Sequence, residues 1–436
     1  MIMNLGFFFC FAFSVISFAF RIEDSFLSSN QFRRIIVISD IHGDSRALQE
    51  SLYLGYQEIV GANSAVDRKE FSARFQNASA LASNPQPPLY TGGDVALIQM
   101  GDMIDRGTHS LECVRLMNVT EAVIGFKTIT LLGNHELLAM LQDPLYHKQH
   151  NPRDDLKRDD QSLFNRTIDG PMWRHFRNSF MPMVRWGPPA RSNVAETVLD
   201  LNSSATLFVH AGMTEEFLYR FNIVSPPPST FVSKYPMSAL KQSSSLSDGT
   251  TTVSVFSFNT MVERDFILLP NPDLFQKYAI NWSPITVRNF GKFDIDCDSI
   301  DRILRLFDVS RIVVGHVSSG HHQVRTNCDG KILLTDIGAS RYMRGFDMDQ
   351  VAPTPGIVIM TTAENHQSTA ATDGSSLSTI SAVYRNLVSR VVTHESIWEH
   401  NSQQIQSLNR WATNDTEAYI RVPPSFDGQP RLPLYH

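Results

Sequence analysis

The chain has 436 residues, 42% hydrophobic and 19% charged, with a formal net charge of -6 at pH 7. That length can bury a large core in one domain or two, and the balance is ordinary for a folded globular protein. No long basic run is present, so charge offers no footing to a nucleic acid.

Residues 5–20 are almost wholly apolar and Phe-rich. They fall short of the ~20 residues that a spanning helix needs. Ser17 and Ala19 form a small-x-small pattern before Phe20, so residues 1–19 are read as a signal peptide, although no Lys or Arg precedes the apolar run. An uncleaved anchor is the alternative, and only that would bring membrane contact. Asn77, Asn118, Asn165, Asn202, Asn281 and Asn414 each open an N-x-[ST] sequon. Together these features suggest the secretory route, either secretion or residence in an endomembrane lumen. With Cys10 in the leader, Cys113, Cys297 and Cys328 remain, an odd number that excludes a disulfide scaffold. Cys297 and Cys328 pair, or all three stay as buried thiols.

Arg33 to Ser39 reads as a compact β-branched strand. Asp40 to Asp44 turns into a helix from near Ser45, carrying Leu48, Leu52 and Tyr56. Residues 61–93 are rich in Ala, Asn, Ser and Pro and read as a surface insertion with one helical piece. Val95 to Met100 is the second strand, ending on Gly101-Asp102, and a helix follows over Ser110 to Met117. Thr128 to Leu132 is the third strand, ending on Gly133-Asn134-His135, with a helix over Glu136 to Leu141. Residues 143–200 read as a polar, irregular cap anchored by Trp173 and Trp186. Ala205 to Val209 is a strand delivering His210. Residues 225–255 read as a long Pro/Ser-rich loop, and Ile300 to Phe307 as a helix with one apolar face. Arg311 to Val314 is a strand delivering Gly315-His316. Ile332 to Thr335, before Asp336, and Ile357 to Met360 are later strands assigned to a second sheet. Residues 363–379 are Ser/Thr-rich and expected to be disordered, and a helix is expected from near Tyr384 to Trp411. The catalytic domain is placed at 31–362, with 363–436 as a Ser/Thr- and Pro-rich extension.

Five strings carry the chemistry: Ser39-Asp40-Ile41-His42-Gly43-Asp44, Gly101-Asp102-Met103-Ile104-Asp105-Arg106-Gly107, Gly133-Asn134-His135-Glu136, His210-Ala211-Gly212 and Gly315-His316. Each follows an apolar run, at the strand ends where open α/β sheets bind ligands. Phosphate-ester hydrolysis needs a strong nucleophile, neutralised phosphoryl charge and a proton for the leaving group. Two cations roughly 3.5–4 Å apart supply the first two. Asp102 is the candidate bridge between them. Asp40 and His42 alternate at i and i+2, so on an extended strand end they face the same way and join Asp102 at the first cation. Asn134, His210 and His316 join Asp102 at the second. Mixed oxygen and nitrogen donors suit manganese, iron or zinc, with manganese preferred. His135, next to a ligand and so pointing elsewhere, would protonate the leaving oxygen, with Asp105 holding its tautomer. Arg106 would present a fork to phosphate. Gly101, Gly107 and Gly133 allow tight backbone.

These strings resemble the metallophosphoesterase superfamily and, within it, the phosphoprotein phosphatase (calcineurin-like) family, over residues 33–362. The resemblance implies an α/β fold, a four-layer α/β/β/α sandwich with helical and loop insertions, and the ligand, acid and phosphate roles just given. Leu132 before Gly133 and Ala211 after His210 depart from the eukaryotic Ser/Thr phosphatases. The pattern is most similar to the bacterial-like branch, the Shewanella-like protein phosphatases. On that resemblance Arg288, in Trp282-Ser-Pro-Ile-Thr-Val-Arg288, is a second phosphate-binding residue. Asp336-Ile-Gly-Ala-Ser340 is also similar to that branch, but no role attaches to it. The expected substrate partner is a phosphorylated protein or peptide. A dinucleoside polyphosphate hydrolase of the same fold is the enzymatic alternative. A metal-binding pseudo-phosphatase is the non-catalytic one.

Overall fold

A computed structural model describes residues 25–61, 66–76, 86–141, 151, 153–156, 161–165, 170–188, 205–220, 255–262, 285–288, 290, 295–317, 323–342, 356–362, 377–385, 392–400 and 404–412. The leader, most of the 225–255 loop, residues 363–376 and the sequons at Asn77, Asn202, Asn281 and Asn414 lie outside them. Among the described residues no helix is long and apolar enough to cross a membrane.

The strands in chain order are β1 (Phe26–Ser28), β2 (Arg34–Ile38), β3 (Val95–Gln99), β4 (Lys127–Leu131), β5 (Phe180–Met181), β6 (Met183–Gly187), β7 (Thr206–Val209), β8 (Arg311–Val314), β9 (Arg325–Asn327), β10 (Ile332–Leu334), β11 (Gly356–Thr362), β12 (Leu377–Arg385), β13 (Val392–His400) and β14 (Gln404–Ala412). The described helices are α1 (Ser45–Val60), α2 (Arg68–Gln76), α3 (Ser110–Ile124), α4 (Asn134–Met140), α5 (Gln161–Phe164), α6 (Pro171–Ser179), α7 (Glu215–Arg220), α8 (Val255–Val262) and α9 (Cys297–Phe307). One sheet runs β1-β6-β7-β8-β10-β9 and the other β14-β13-β12-β11-β2-β3-β4-β5.

Strand periodicity builds the layers. Ile35 and Val37 of β2, Ala96 and Ile98 of β3, and Ile129 and Leu131 of β4 share one buried cluster with Trp186 of β6, Phe208 of β7, Val313 of β8 and Leu333 of β10. That cluster is the inter-sheet core. The alternate residues turn outward: Ile36, Ile38 and Leu97 on one sheet, Leu207, Val209, Ile312 and Val314 on the other. They join the cluster that holds the apolar faces of α1, α3 and α9. The period of two thus makes both faces of each sheet apolar, and helices cover the outer ones. Gly55 of α1 lets the helix lie close on β2, since a Cβ there would stand 3.2 Å from Ile36 Cδ1.

Parallel pairing decides where the site forms. β2, β3 and β4 are parallel neighbours, so the turns after them open at one edge. β7 and β10 both pair parallel with β8, which brings the turns after those three strands to one edge as well.

Expected disorder through residue 379 fails at residues 377–379, which open β12, and three other expectations from sequence give way. Among the described residues from Tyr384 to Trp411 there is no helix: β12, β13 and β14 pair antiparallel in turn and extend the sheet beyond β11. β-branched residues, as Val392, Thr393 and Ile397 in Val392-Thr393-His394-Glu395-Ser396-Ile397, are the signal for strand. Ile357 to Met360 lies in the sheet of β2, antiparallel to it, and not in the sheet of β8 and β10. Trp186 anchors no cap: it stands in β6, fully buried, and its Nε1 donates to Phe32 O at 2.8 Å. Cys297 and Cys328 are joined in a disulfide that ties the start of α9 to the β9–β10 turn, and Cys113 is a buried free thiol.

Candidate dinuclear metal centre

Asp102 stands at the middle of the site, buried just beyond β3. Its Oδ1 lies 3.3 Å from His210 Nε2, and its Oδ2 lies 3.7 Å from His42 Nε2, 3.9 Å from His135 Nε2 and 4.0 Å from His316 Nδ1. Two donor groups result, each within 4.8 Å: His42, Asp102 and His135, and Asp102, His210 and His316. Asn134 adds its Oδ1 at 3.1 Å from His210 Nε2. His210 Nε2 is also 3.2 Å from His316 Nδ1. Asp40, fully buried, reaches the centre beside His316, whose backbone N–H it accepts at 2.9 Å. The six residues expected to bind metal thus meet at one buried point, from turns 276 positions apart in sequence at the widest.

Unusual backbone puts them there. His42, Asp102, Asp105, Arg106 and His316 all have φ between 49° and 71°. Left-handed backbone is uncommon for such residues and persists where the surroundings enforce it. His42 therefore leaves no extended strand end. It sits in a turn whose N–H bonds Asp102 O at 2.9 Å, and its ring packs edge-on against His135, 4.7 Å between centroids. Gly101 has φ 98°, and a Cβ there would stand 2.7 Å from both Gly133 Cα and His210 Nδ1. Gly107 and Gly133 do not have left-handed φ, and what they supply is room for close backbone approach.

The electrostatics fit a cation. Burial would raise the Asp102 pKa, but His210, His135 and His42 around it hold the carboxyl well below its ordinary value. Burial works against the charge on His210 too, yet Asp102 and Asp40 push its pKa up to about 9. Burial, helped by the neighbouring His135 and His210 respectively, drives His42 and His316 well below the usual imidazole value, so both rings keep a lone pair to give. Burial and the nearby Asp336 raise Asp40. The His42 Nδ1 is buried with no hydrogen-bond partner among the described residues. Two carboxylates, an amide oxygen and the neutral imidazoles of His42 and His316 around one buried point are a donor set for divalent cations.

The acid pair lies alongside. His135 Nδ1 is 2.8 Å from Asp105 Oδ2, with both side chains buried. Asp105 N–H donates to Ser110 Oγ at 3.0 Å, and Ser110 Oγ donates to Asp154 Oδ2 at 2.5 Å. Asn151 Nδ2 donates to Arg106 O at 3.0 Å. Asn151 and Asp154 of the insertion therefore grip the turn that carries Asp105 and Arg106. Arg106 is half-buried beside the acid pair. Arg288 is exposed, and its Nη1 donates to His316 O at 3.4 Å, which places it at the mouth of the same site.

Sequence reasoning left Glu136 without a mechanical role. Its carboxylate accepts N–H bonds from Asp102 (2.9 Å), Met103 (2.8 Å), Ile104 (3.1 Å) and Gly133 (3.0 Å). Burial and Asp102 push its pKa up to about 7, against the pull of these donors. The side chain locks the Asp102 loop to the Asn134 turn. Each buried N–H left without an acceptor costs about 1–3 kcal/mol. Glu136→Ala is accordingly expected to lower the denaturation midpoint and weaken metal binding together. An unchanged midpoint would mean the loop is held by other contacts.

Residues 33–319 match the calcineurin-like phosphoesterase family. The chain belongs to that family. This phosphoesterase is 24% identical over 267 residues to an uncharacterised Schizosaccharomyces pombe protein, covering 60% of this chain and 67% of that one. It is 22% identical over 319 residues to Shewanella-like protein phosphatase 1 of Plasmodium berghei, covering 71% and 68%. Its fold overlays the crystal structure of a cold-active protein-tyrosine phosphatase from a psychrophilic Shewanella with a TM-score of 0.47 and 14% identity, over 78% of each chain, a score too low to carry an argument. Family and donor cluster agree on a metallophosphatase that uses divalent cations. The two mixed sheets and their helices form the sandwich expected of it.

Proposed function

We propose that this phosphoesterase is a phosphoprotein phosphatase, cleaving phosphomonoesters of proteins or peptides with two manganese ions as its preferred cofactors. The observation that carries the reading is the His135–Asp105 pair, 2.8 Å apart, with His135 Nε2 3.9 Å from the central Asp102. An alkoxide of serine or threonine is a poor leaving group and needs a proton, and this pair can deliver one at the edge of the metal centre.

Asp40, His42 and Asp102 would hold one cation, and Asp102, Asn134, His210 and His316 the other. The cations supply an activated water and neutralise phosphoryl charge when bound. His135 Nδ1–H donates to Asp105, which fixes the tautomer and stabilises the imidazolium, so Nε2–H is the proton the leaving oxygen receives. Arg106, and Arg288 at the mouth, orient the phosphoryl oxygens. Glu136 and Ser110 keep the two turns in register.

Chelation followed by metal replacement tests the reading. Treatment with EDTA should abolish turnover of a phosphopeptide, and Mn2+ should restore it best among Mn2+, Zn2+, Fe2+ and Mg2+. Turnover of diadenosine tetraphosphate with none of the phosphopeptide would replace this reading with the dinucleotide one. Arg106→Ala should weaken inhibition by inorganic phosphate roughly 10- to 100-fold, the equivalent of about 1.5–3 kcal/mol for charged hydrogen bonds. An unaltered inhibition constant would remove Arg106 from the phosphate site.

We also infer an oxidising lumen or extracellular setting, supported by the Cys297–Cys328 disulfide, the sequons and the apolar leader. Mass loss on glycosidase treatment of the natively expressed chain is expected. An unmodified chain with reduced Cys297 and Cys328 would overturn the inference.

A further inference from the structure

Asp336 is fully buried, and none of the functional assignments above uses it. It follows β10, whose Leu334 pairs with Val314 of β8. The pairing runs on past the strand, since Thr335 N–H donates to Val314 O at 2.8 Å. Asp336 thus stands at the strand end level with His316, two residues beyond Val314. On the other side of β8, Gly315 N–H donates to His210 O at 2.8 Å, so all three strand ends share one edge.

One carboxylate oxygen of Asp336 accepts the Gly338 N–H at 2.9 Å. The other, also buried, has no hydrogen-bond partner among the described residues. The carboxylate lies close enough to feel the charges of Asp102, His210 and Arg106, and Asp40 feels it in turn. All four belong to the site already described. The turn onto Gly338 does not explain a charge here, because an Asn oxygen would accept the same N–H. A buried carboxylate oxygen with no donor destabilises a fold unless a cation or its water meets it.

We propose that Asp336 belongs to the metal centre as its outer anion: its unpartnered oxygen, beside His316, faces the divalent cations and tightens their binding. It acts on the cations from behind Asp40 and His316, and is a positioning residue with no contact to substrate. This rests on the two-cation reading of the site.

The variant Asp336→Asn keeps the shape and the Gly338 acceptor, removes the charge, and puts an amide NH2 in place of the unpartnered oxygen. In the full chain, Mn2+ titration by calorimetry should show two sites for the wild type. For Asp336→Asn, affinity should fall roughly 10- to 100-fold, as for other outer partners of metal ligands. In EDTA the variant should melt at the same or a higher temperature than the wild type, since an uncompensated charge has gone. Unchanged Mn2+ affinity in Asp336→Asn, whatever its melting temperature, overturns the proposal. So does a lower melting point in EDTA together with unchanged affinity in both Asp336→Asn and Asp336→Ala, which would mark a purely structural residue. If the wild type itself binds no Mn2+, the two-cation reading fails first and takes this inference with it.

Discussion

Asp102→Ala is expected to lower kcat/KM on a phosphopeptide by roughly 10³-fold or more. The figure follows from its position. Both donor groups share Asp102, and no other side chain belongs to both. Cations contribute several kcal/mol of charge stabilisation to phosphoryl transfer, and each 1.36 kcal/mol or so is tenfold in rate. The same substitution should reduce bound manganese from two ions towards one or none. The fold should survive, because Glu136 bonds the backbone N–H of residue 102 and not its side chain. Far-ultraviolet circular dichroism checks that point, and atomic absorption counts the metal. Full turnover by Asp102→Ala would end the account of a shared bridging carboxylate.

The second large effect belongs to His135→Ala. Loss of a general acid costs roughly 10²- to 10⁴-fold when the leaving group needs the proton. Phosphoserine peptides should show that loss. p-Nitrophenyl phosphate, whose phenolate leaves unaided, should show far less, with metal content intact. Asp105→Asn should repeat the pattern in milder form, because its oxygen no longer stabilises the imidazolium 2.8 Å away. Equal losses on both substrates would mean that His135 does not protonate the leaving group. The test matters because His135 also lies within reach of the His42–Asp102 donor group. A ligand role would lower metal content and affect both substrates alike.

Much of this site was legible before any coordinates. Short β-branched runs ending on Asp40, Asp102, Asn134, His210 and His316 identify their strands, because few other backbones give such apolar runs followed by polar turns. The observed strands begin or end within a residue or two of the expected ones along β2, β3, β4, β7 and β8. The proposed acid pair and Arg106 also read from their strings, whereas Arg288 enters only through the family resemblance. Less legible was how the residues reach one another. His42 was expected on an extended strand end and stands in a left-handed turn held by the Asp102 carbonyl. That conformation is enforced by a loop 60 residues away, so local pattern has no access to it.

The same holds for supporting residues. Glu136 sits inside a string that was recognised, yet its four N–H partners come from the neighbouring turns. Asp154 and Asn151 lie in an insertion of irregular, polar composition, and only the fold shows them gripping the Asp105–Arg106 turn. Asp44 caps α1 through Ala47 N–H and also holds Arg341, 297 positions on. At the carboxyl end the sequence misleads: the segment from Tyr384 to Trp411 reads as helix, and its described residues are strand. Strand formation there depends on the free edge of β11, which propensity does not register.

The sequence by itself determined the residue types, their order, and the strand ends on which they ride, since side-chain chemistry and apolar periodicity are local properties. Only the tertiary structure decided which donors share a cation site, which glycines serve close approach, and that a carboxylate at Asp336 lies buried beside them. Those outcomes depend on parallel pairing between distant strands, and on the unpaired charge that burial alone makes costly.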